Sequence, residues 1–219
     1  MPATKTAVVT GRHPFDVIGF HQLFRCLPGI ELYIQHMEDF VSSPPEIRQQ
    51  YDTVVFYHFH QETPGSETQW WEAGLKPTLE TLGETKQGIV VLHHAILAFP
   101  EWDFWAELVG IEDRGFTYHI GETLTLDVAN PTHPITRGLP ASWTMVDEAY
   151  GMKSPGPDSE VLVTTTHQPS MTALAWTRTF KKAPVFCLES GHDNRTWVDP
   201  NFRRLLAQGI HWTAGRELA

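Results

Sequence analysis

Histidine is frequent in this chain, and six histidines follow segments that are typical of buried strands. The chain has 12 His among 219 residues. Imidazole transfers protons near neutral pH and is the commonest metal ligand among side chains. In a parallel sheet the carboxyl ends of the strands gather at one edge, where ligands bind. We therefore expect at least two of the six to line a pocket there; they are His13, His58, His60, His93, His94 and His192.

The clearest case is GIVVLHHA, residues 88–95, in which an apolar run stops at two adjacent histidines. Such a run is typical of a strand that is covered on both faces. Consecutive side chains of a strand point to opposite faces, so His93 and His94 are not expected to face the same way. For any one histidine, a bond to a backbone carbonyl or exposure to solvent is the common alternative.

The first half of the chain is predicted to alternate strands with helices. Strands are predicted over 4–10, 30–35, 52–59 and 88–93, and helices after Asp16, from Ser43, over 66–84 with a kink near Lys76–Pro77, and over 99–110. Apolar strands that alternate with helices favour a parallel sheet with helices on both faces.

The second half has a different pattern. Strands are predicted over 122–128, 160–167, 172–179 and 183–190, with a loop over 130–143. A last amphipathic helix is predicted over 199–215, with Asp199 as its N-cap and Pro200 in its first turn. The sequence contains no repeat or linker, so we predict one α/β domain over residues 1–219, with extra β structure in its second half.

Composition and charge exclude several classes of partner. The formal net charge is -10 and 41% of the residues are apolar, which is typical of a globular protein and argues against binding to nucleic acid or to an anionic membrane. The longest apolar runs are too short to cross a bilayer, and no signal peptide is recognisable. Cys26 and Cys187 form no disulfide framework or metal-binding spacing, so we expect buried thiols in a reducing compartment, the cytoplasm.

Three long stretches carry a resemblance to a known family. They are GIVVLHHA followed by WDFWAELVG, then HPITRGLPASWTMVDEAYG, and then APVFCLESGHDNRTWVDPNFRRLLAQGIHWTAG. In this order they resemble the trehalose-utilisation (ThuA-like) family, a relative of the class I glutamine amidotransferases. The resemblance covers most of the chain and implies one ThuA-like domain with a flavodoxin-like, amidotransferase-like parallel sheet.

The resemblance also gives a meaning to the two adjacent histidines. In amidotransferases a cysteine nucleophile lies on a sharp turn after a central strand. The matching place here is VLHHA, which has no Cys, no Ser and no flanking Gly. Glutamine hydrolysis by a thiolate is therefore not expected, because the nucleophile is missing.

Three residues are predicted to be catalytic. His94 and His192 are chosen because each lies in a segment that resembles the family, and His93 is expected to do no more than hold the turn. Glu148 follows Asp147 in MVDEAYG. Two adjacent acidic residues usually lie in a solvent-exposed turn, but this segment resembles the family, so we predict a catalytic role for Glu148. Substrate contacts are predicted for His13, His58, His60, Trp102, Tyr150, Asp193 and Trp197.

No cofactor is spelled out by a compact motif. The segment after the first strand, TGRHPFD, lacks the glycine-rich loop of a nucleotide site, so NAD, ATP and FMN are not indicated. Two histidines and one carboxylate from separate strands can hold zinc or another divalent metal, and that alternative stays open.

The resemblance implies a role in the metabolism of trehalose-related or 3-keto disaccharides. A 3-keto group makes the neighbouring C–H bonds acidic, so an isomerase, lyase or hydrolase could work by proton transfer, with or without metal assistance. In that scheme Glu148 or His94 removes a proton and His192 protonates an oxygen. The expected partners are a small carbohydrate and a second copy in a homodimer. The alternative is a non-catalytic sugar-binding, regulatory or interaction module on a degenerate amidotransferase fold.

Overall fold

The computed structural model describes residues 2–65 and 69–216, and within them nine strands form one mixed sheet. The strands are β1 Thr4–Gly11, β2 Ile30–His36, β3 Thr53–His58, β4 Gly88–Leu92, β5 Thr117–Val128, β6 Ser142–Gly151, β7 Glu160–Thr164, β8 Ala173–Phe180 and β9 Ala183–Leu188. Their order in the sheet is β2-β1-β3-β4-β9-β8-β7-β5-β6. The five neighbouring strands β2, β1, β3, β4 and β9 are parallel to one another, and the remaining strand pairs are antiparallel. This confirms the predicted α/β sheet with extra β structure in the second half.

Helices cover both faces of the parallel part. They are α1 Val17–Arg25, α2 Met37–Ser42, α3 Pro45–Arg48, α4 Leu75–Leu79, α5 Asp103–Val109, α6 Asn194–Trp197 and α7 Pro200–Thr213. Phe56 of β3 packs against Trp105 of α5, with ring centroids 5.3 Å apart. The next residue, Tyr57, packs against Phe20 of α1 at 4.5 Å. Because neighbouring strand residues point to opposite faces, α5 and α1 lie on opposite sides of the sheet.

The predicted helix starts at Asp16 and Asp199 are confirmed. The Asp16 carboxylate accepts the N–H groups of Ile18 and Gly19 at 3.0 and 3.1 Å. Asp199 caps α7 in the same way, and Pro200 occupies its first turn. Each cap satisfies N–H groups that have no partner inside the helix.

Several helices differ from the predicted bounds. The helix predicted over 66–84 is a 3-10 turn, Glu72–Gly74, that continues as α4, while residues 66–68 lie outside the described residues. The predicted kink at Lys76–Pro77 is instead a helix start, because proline is tolerated in a first turn, where its missing N–H is not needed. The helix predicted from Ser43 is present as α3, which begins at Pro45, and α2 before it was not predicted. Helix α5 begins at Asp103 rather than at residue 99.

Strand β6 is the largest difference from the sequence-based expectation. No strand was expected over residues 142–151, yet Glu148 lies in its carboxyl half. Asp147 and Glu148 are both buried there. Two buried acidic residues break the alternation of apolar and polar side chains that marks a half-exposed strand, so the pattern does not reveal β6.

Gly88, the first residue of β4, lies against the end of α7. A Cβ atom at this position would lie 2.5 Å from the backbone oxygen of Thr213 and 2.6 Å from its carbonyl carbon. Because backbone atoms cannot rotate away, we expect Gly88→Ala to lower the free energy of unfolding by about 1–3 kcal/mol. Urea denaturation measures the change. Gly156→Ala is the matched control, since its Cβ would meet nothing closer than 3.7 Å; equal losses in both variants would contradict the prediction.

Candidate active site

Three side chains meet beyond the carboxyl ends of β4 and β9. His93 Nε2 lies 3.1 Å from Glu148 Oε2 and 3.2 Å from His192 Nδ1. His192 Nδ1 lies 3.3 Å from the same carboxylate oxygen. His93 and Glu148 are buried, whereas His192 is half-buried. We refer to His93, Glu148 and His192 as the His93 cluster.

The turn at His93 decides which histidine enters the cluster. β4 ends at Leu92, one residue earlier than predicted, and His93 opens a 3-10 turn that runs to Leu97. The φ angle of His93 is 52°, in the left-handed region that a residue with a Cβ rarely adopts. His93 therefore does more than hold the turn, which corrects the expectation: its Nε2 atom points at Glu148.

A backbone contact fixes the protonation of the other nitrogen of His93. Nδ1 lies 2.6 Å from the carbonyl oxygen of Glu189. A carbonyl can only accept, so Nδ1 carries a hydrogen and donates it. Nε2 is thus the atom that exchanges a proton with the cluster.

Tyr150 completes the surroundings of His93. Its hydroxyl lies 2.8 Å from His93 Nε2, and the two rings stack with centroids 4.9 Å apart. Burial, together with the Glu148 carboxylate, raises the pKa of Tyr150 well above its usual value, so the phenol keeps its proton. Neutral His93 accepts the Tyr150 hydroxyl hydrogen, and protonated His93 donates to Glu148. Glu148 and Tyr150 reach the same ring because residues two apart on a strand share a face.

Glu148 and His192 form an acid–base pair. Burial opposes the charge of Glu148, but the hydrogen bonds from His192 and His93 outweigh it and hold the pKa of the carboxyl below its usual value. The hydrogen bond to Glu148 raises the pKa of His192. The pair thus favours a carboxylate beside an imidazolium, which places a proton acceptor and a proton donor side by side.

Asp147 fixes the position of the loop that carries His192. Its carboxylate accepts three backbone N–H groups, from Glu148 at 2.9 Å, Gly191 at 2.8 Å and His192 at 3.0 Å. Asp147 is fully buried. Since Asp147 points to the opposite face of β6 from Glu148, one strand both supplies the carboxylate and holds the histidine loop.

Glu189 is a further buried acid that the sequence reading missed. Its Oε1 atom accepts the backbone N–H of Tyr150 at 2.9 Å, and its carbonyl orients His93. Burial, with a contribution from Asp147, raises the pKa of Glu189 well above its usual value, which favours the neutral acid. The sequence does contain a signal for this residue, because Glu189 directly follows the apolar run PVFCL. A carboxyl group at the end of a buried strand is rarely buried without a partner.

His94 and His13 lie beside the His93 cluster without contacting Glu148. Their rings stack with centroids 4.2 Å apart, and the His94 ring centroid lies 5.3 Å from that of His93. Within the part of the chain that the structure describes, neither ring nitrogen of His94 has a hydrogen-bond partner. Burial, and then the neighbouring His93, lowers the pKa of both His94 and His13, which keeps them neutral. The feature that supports the predicted catalytic role of His94 is therefore its two unpartnered ring nitrogens, which lie next to the cluster.

His58 and His60 lie on the other face of the sheet. His58 follows Phe56 by two residues and, like it, packs against Trp105 of α5, at 5.2 Å. His60 Nδ1 lies 3.2 Å from His58 Nδ1. His58 and His60, for which substrate contacts were predicted, therefore form a separate buried pair away from the cluster, because strand alternation directs His58 away from the α1 side.

This buried pair predicts a pH-dependent stability. Burial, and then Arg12, lowers the pKa of His60 to about 4 from its ordinary 6.5. The unfolded chain therefore binds a proton at a pH where the folded chain does not, and stability falls as the pH drops from about 6.5 to about 4. A difference of this size corresponds to about 3 kcal/mol.

We expect His60→Asn to remove most of the loss of stability that His60 causes at low pH. An amide can take over the hydrogen bond of Nδ1 but does not titrate. Urea unfolding at a series of pH values measures it. His21→Asn, on helix α1, is the control and should retain the wild-type pH dependence. Equal slopes for wild type and His60→Asn would contradict the prediction.

The remaining residues that were predicted to contact substrate lie outside the His93 cluster. Trp197 is 2% exposed and donates its indole N–H to Gly191 O at 2.8 Å, so it supports the His192 loop and offers no free ring face. Trp102 is buried on the α5 side, stacked on Phe104. The carboxylate of Asp193 caps α6 and pairs with Arg195 at 2.6 Å.

The two cysteines lie away from the cluster. Cys187 is buried in β9, where burial raises the pKa of its thiol. Cys26 ends helix α1 and, contrary to the expectation of a buried thiol, is exposed. Neither is placed to act as a nucleophile beside His93.

The His93 cluster also matches the geometry of a metal site. Its three candidate ligand atoms lie within 4.8 Å of one another. Tetrahedral zinc ligands at about 2.0–2.1 Å from the ion lie about 3.3 Å from each other. The separations of 3.1, 3.2 and 3.3 Å in the cluster are therefore close to one face of such a tetrahedron.

Solved structures resemble the whole chain. A ThuA-like protein from Parabacteroides merdae aligns with a TM-score of 0.78 at 20% identity, covering 99% of this chain and 92% of that one. A ThuA-like protein from Bacteroides uniformis aligns with a TM-score of 0.72 at 18% identity, covering 97% and 91%. A glutamine amidotransferase from Thermotoga maritima aligns with a TM-score of 0.54 at 10% identity, covering 95% and 98%. These likenesses support the amidotransferase-like fold.

Two further comparisons bear on the class of protein. No protein of curated function matches the chain. Across residues 2–65 and 69–216, every helix is too short or too polar to span a bilayer. Residues 38–213, which include the whole His93 cluster, match the family model ThuA, described as trehalose utilisation, and the chain therefore belongs to the ThuA family.

Proposed function

We propose that this protein is an enzyme that moves protons on a trehalose-related keto-disaccharide. Membership of the ThuA family supports a carbohydrate-related role in general. The observation that carries the proposal is the His93 cluster, in which a buried carboxylate lies 3.1 Å from one imidazole and 3.3 Å from another. Carboxylates and imidazoles in this arrangement are the usual groups for general acid–base catalysis.

The proposed reaction is an elimination or an isomerisation at the carbon next to a sugar ketone. Glu148 accepts the proton of that C–H bond, and the electron pair forms an enolate. In elimination the pair then forms a carbon–carbon double bond as the glycosidic C–O bond breaks. His192 supplies the proton to the departing oxygen. In isomerisation His192 protonates the enolate oxygen to give an enediol; the proton held by Glu148 then returns to the former ketone carbon while His192 takes the proton of the other enediol hydroxyl, which becomes the new ketone.

His93, Tyr150 and His94 are assigned supporting parts in this scheme. Tyr150 and His93 share a hydrogen through their 2.8 Å contact, so they can relay a proton away from Glu148 between turnovers. His94 has two free nitrogens within the described residues and is proposed to bind a substrate hydroxyl or to assist in removing the proton. Glutamine hydrolysis is not proposed, because no thiol lies at the turn after β4.

A metal-assisted form of the same reaction is part of the proposal. His93, Glu148 and His192 would hold a zinc ion, which would polarise the ketone as a Lewis acid. Elemental analysis of the purified protein, compared with Glu148→Gln and with His192→Ala, tests it. Stoichiometric zinc that both substitutions remove would support the metal-assisted form, and a metal-free active enzyme would leave proton transfer by the side chains alone.

The decisive test of the function is incubation with two substrates. Purified protein is mixed with 3-keto-trehalose or with trehalose, with and without added zinc, and the products are followed by NMR. We expect turnover of the keto sugar and exchange of the proton next to its ketone with solvent deuterium. Absence of both turnover and exchange in every mixture would overturn the proposal.

A second candidate function is a sugar-binding module without catalysis. It is favoured by the burial of the cluster, since the side chains of His93 and Glu148 are 0% and 8% exposed. Calorimetry that finds tight sugar binding, together with an unchanged sugar by NMR, would select it. A cytoplasmic location and a homodimer stay predictions; both cysteines are free, which is compatible with a reducing compartment.

A further inference from the structure

A cavity lies at the opposite end of the sheet from the His93 cluster. It has a volume of about 560 Å³ and is bordered by Thr4, the first residue of β1, and by Gly29, just before β2. It thus opens at the amino ends of these strands, whereas the cluster lies at the carboxyl ends. Its size is in the range of pockets for small molecules. We call it the arginine cavity.

Positive charge is concentrated in the arginine cavity. Arg137, Arg203, Arg204 and Arg216 line it, and among the residues that the structure describes no Asp or Glu contributes to its lining. Arg216 pairs with Asp52 at 3.0 Å. Within residues 2–65 and 69–216 the other three have no carboxylate partner. Three uncompensated cations in a chain of net charge -10 mark a place suited to an anion.

Two of the arginine side chains, those of Arg203 and Arg204, are held in place by backbone carbonyl groups. Arg203 Nε donates to Trp197 O at 2.6 Å, and Arg204 Nη1 donates to Gly138 O. Gln208 anchors the loop of Arg137 by donating to the carbonyls of Pro134 and Arg137, both at 3.0 Å. A guanidinium has five N–H donors, so each retains several for a ligand. Carbonyl partners orient these groups without neutralising them.

The walls of the cavity are largely apolar. Leu27, Pro28, Pro200 and Ala207 contribute to them. An apolar wall binds a hydrocarbon body, and a guanidinium fork matches the oxygens of a phosphate or a carboxylate. We propose that the arginine cavity binds a small organic anion, in which one phosphate or carboxylate group is attached to an apolar body.

Cys26 provides a reporter for occupancy of the cavity. It lines the cavity and is exposed. Cys187, the other cysteine of the chain, is fully buried, and burial raises the pKa of its thiol. Iodoacetamide should therefore alkylate Cys26 in the folded protein, and a molecule bound in the cavity should slow that reaction.

The experiment measures the alkylation rate of Cys26 with phenyl phosphate, benzoate or phenol present. An anion at about ten times its Kd should slow alkylation about tenfold by occupancy alone. We expect phenyl phosphate, benzoate or both to protect Cys26, and neutral phenol at the same concentration to have no effect. Protection by only one of the anions identifies which acidic group the site prefers.

Variants test the role of the charges. Arg137→Glu combined with Arg204→Glu should abolish protection, and Lys86→Glu combined with Lys182→Glu, which changes the net charge equally at exposed positions outside the cavity, should retain it. Equal protection by phenol, no protection by either anion, or undiminished protection in the arginine double variant would overturn the proposal. None of these readouts depends on sugar turnover, so the result is independent of the function proposed for the His93 cluster.

Discussion

Glu148→Gln is expected to lower the turnover of a keto-disaccharide by about 10²–10⁴-fold, the usual cost of losing a general base. Glutamine has nearly the same shape as glutamate but cannot accept the proton. The Glu148 carboxylate lies 3.1 Å from His93 Nε2 and 3.3 Å from His192 Nδ1. The substitution also removes the negative charge that raises the pKa of His192. One change therefore removes the base and also makes the protonated form of His192 less stable.

Steady-state kinetics with 3-keto-trehalose measures this effect. The expected pattern is a large fall in kcat with a small change in KM, because the group is needed for proton transfer more than for binding. Glu122→Gln is the matched control. Glu122 also pairs with a histidine, His167, at 2.9 Å, but that pair is half-exposed and lies outside the cluster. Similar losses in the two variants, or none in Glu148→Gln, would remove Glu148 from the mechanism.

Asp147→Asn is expected to lower the free energy of unfolding by about 3–5 kcal/mol. The Asp147 carboxylate accepts three backbone N–H groups on two oxygens. Asparagine keeps one oxygen and places an NH₂ group against at least one of these donors. A buried donor without a partner costs about 1–3 kcal/mol, and a hydrogen bond to a charged group is worth about 1.5–3 kcal/mol.

Urea unfolding tests this prediction against a matched substitution. Asp199 also accepts two backbone N–H groups, from Asn201 and Phe202, but it caps a helix at the surface side of α7. Asparagine is nearly as good a cap as aspartate, so Asp199→Asn should cost less than about 0.5 kcal/mol. A stable Asp147→Asn protein would mean that the His192 loop is fixed by other contacts, such as the Trp197 indole bond to Gly191.

The sequence predicts the parallel half of the sheet well, for a simple physical reason. β3 and β4 are buried along their whole length, so every position is apolar or nearly so and the run can be recognised locally. The N-caps of α1 and α7 can likewise be recognised from the residues next to them in the chain. β6 cannot be recognised in this way, because its acidic residues Asp147 and Glu148 are bonded by Gly191 and His192, which lie 44 or 45 positions further along the chain.

The candidate site follows the same division. That histidines lie at strand ends is visible in the sequence, but which of them meet depends on backbone angles and on strand faces. The left-handed turn at His93 brings His93 rather than His94 into contact with Glu148, and alternation along β3 separates His58 from Tyr57. Glu148 was found only through the family resemblance, because nothing near it in the chain indicates that it packs on His93.

The backbone at His93 has a consequence for protein engineering. A non-glycine residue in the left-handed region costs about 1–2 kcal/mol, which glycine would not. With a φ of 52°, the backbone at position 93 taken alone therefore favours glycine and, to a lesser degree, asparagine. The side chain reverses that preference, because the buried imidazole bonds the Glu189 carbonyl, Glu148 and Tyr150, and its removal would leave a cavity and buried polar groups without a partner. A stability design that scores position 93 by its backbone angle alone would therefore replace the histidine wrongly, so thermostabilised variants of this protein should keep it.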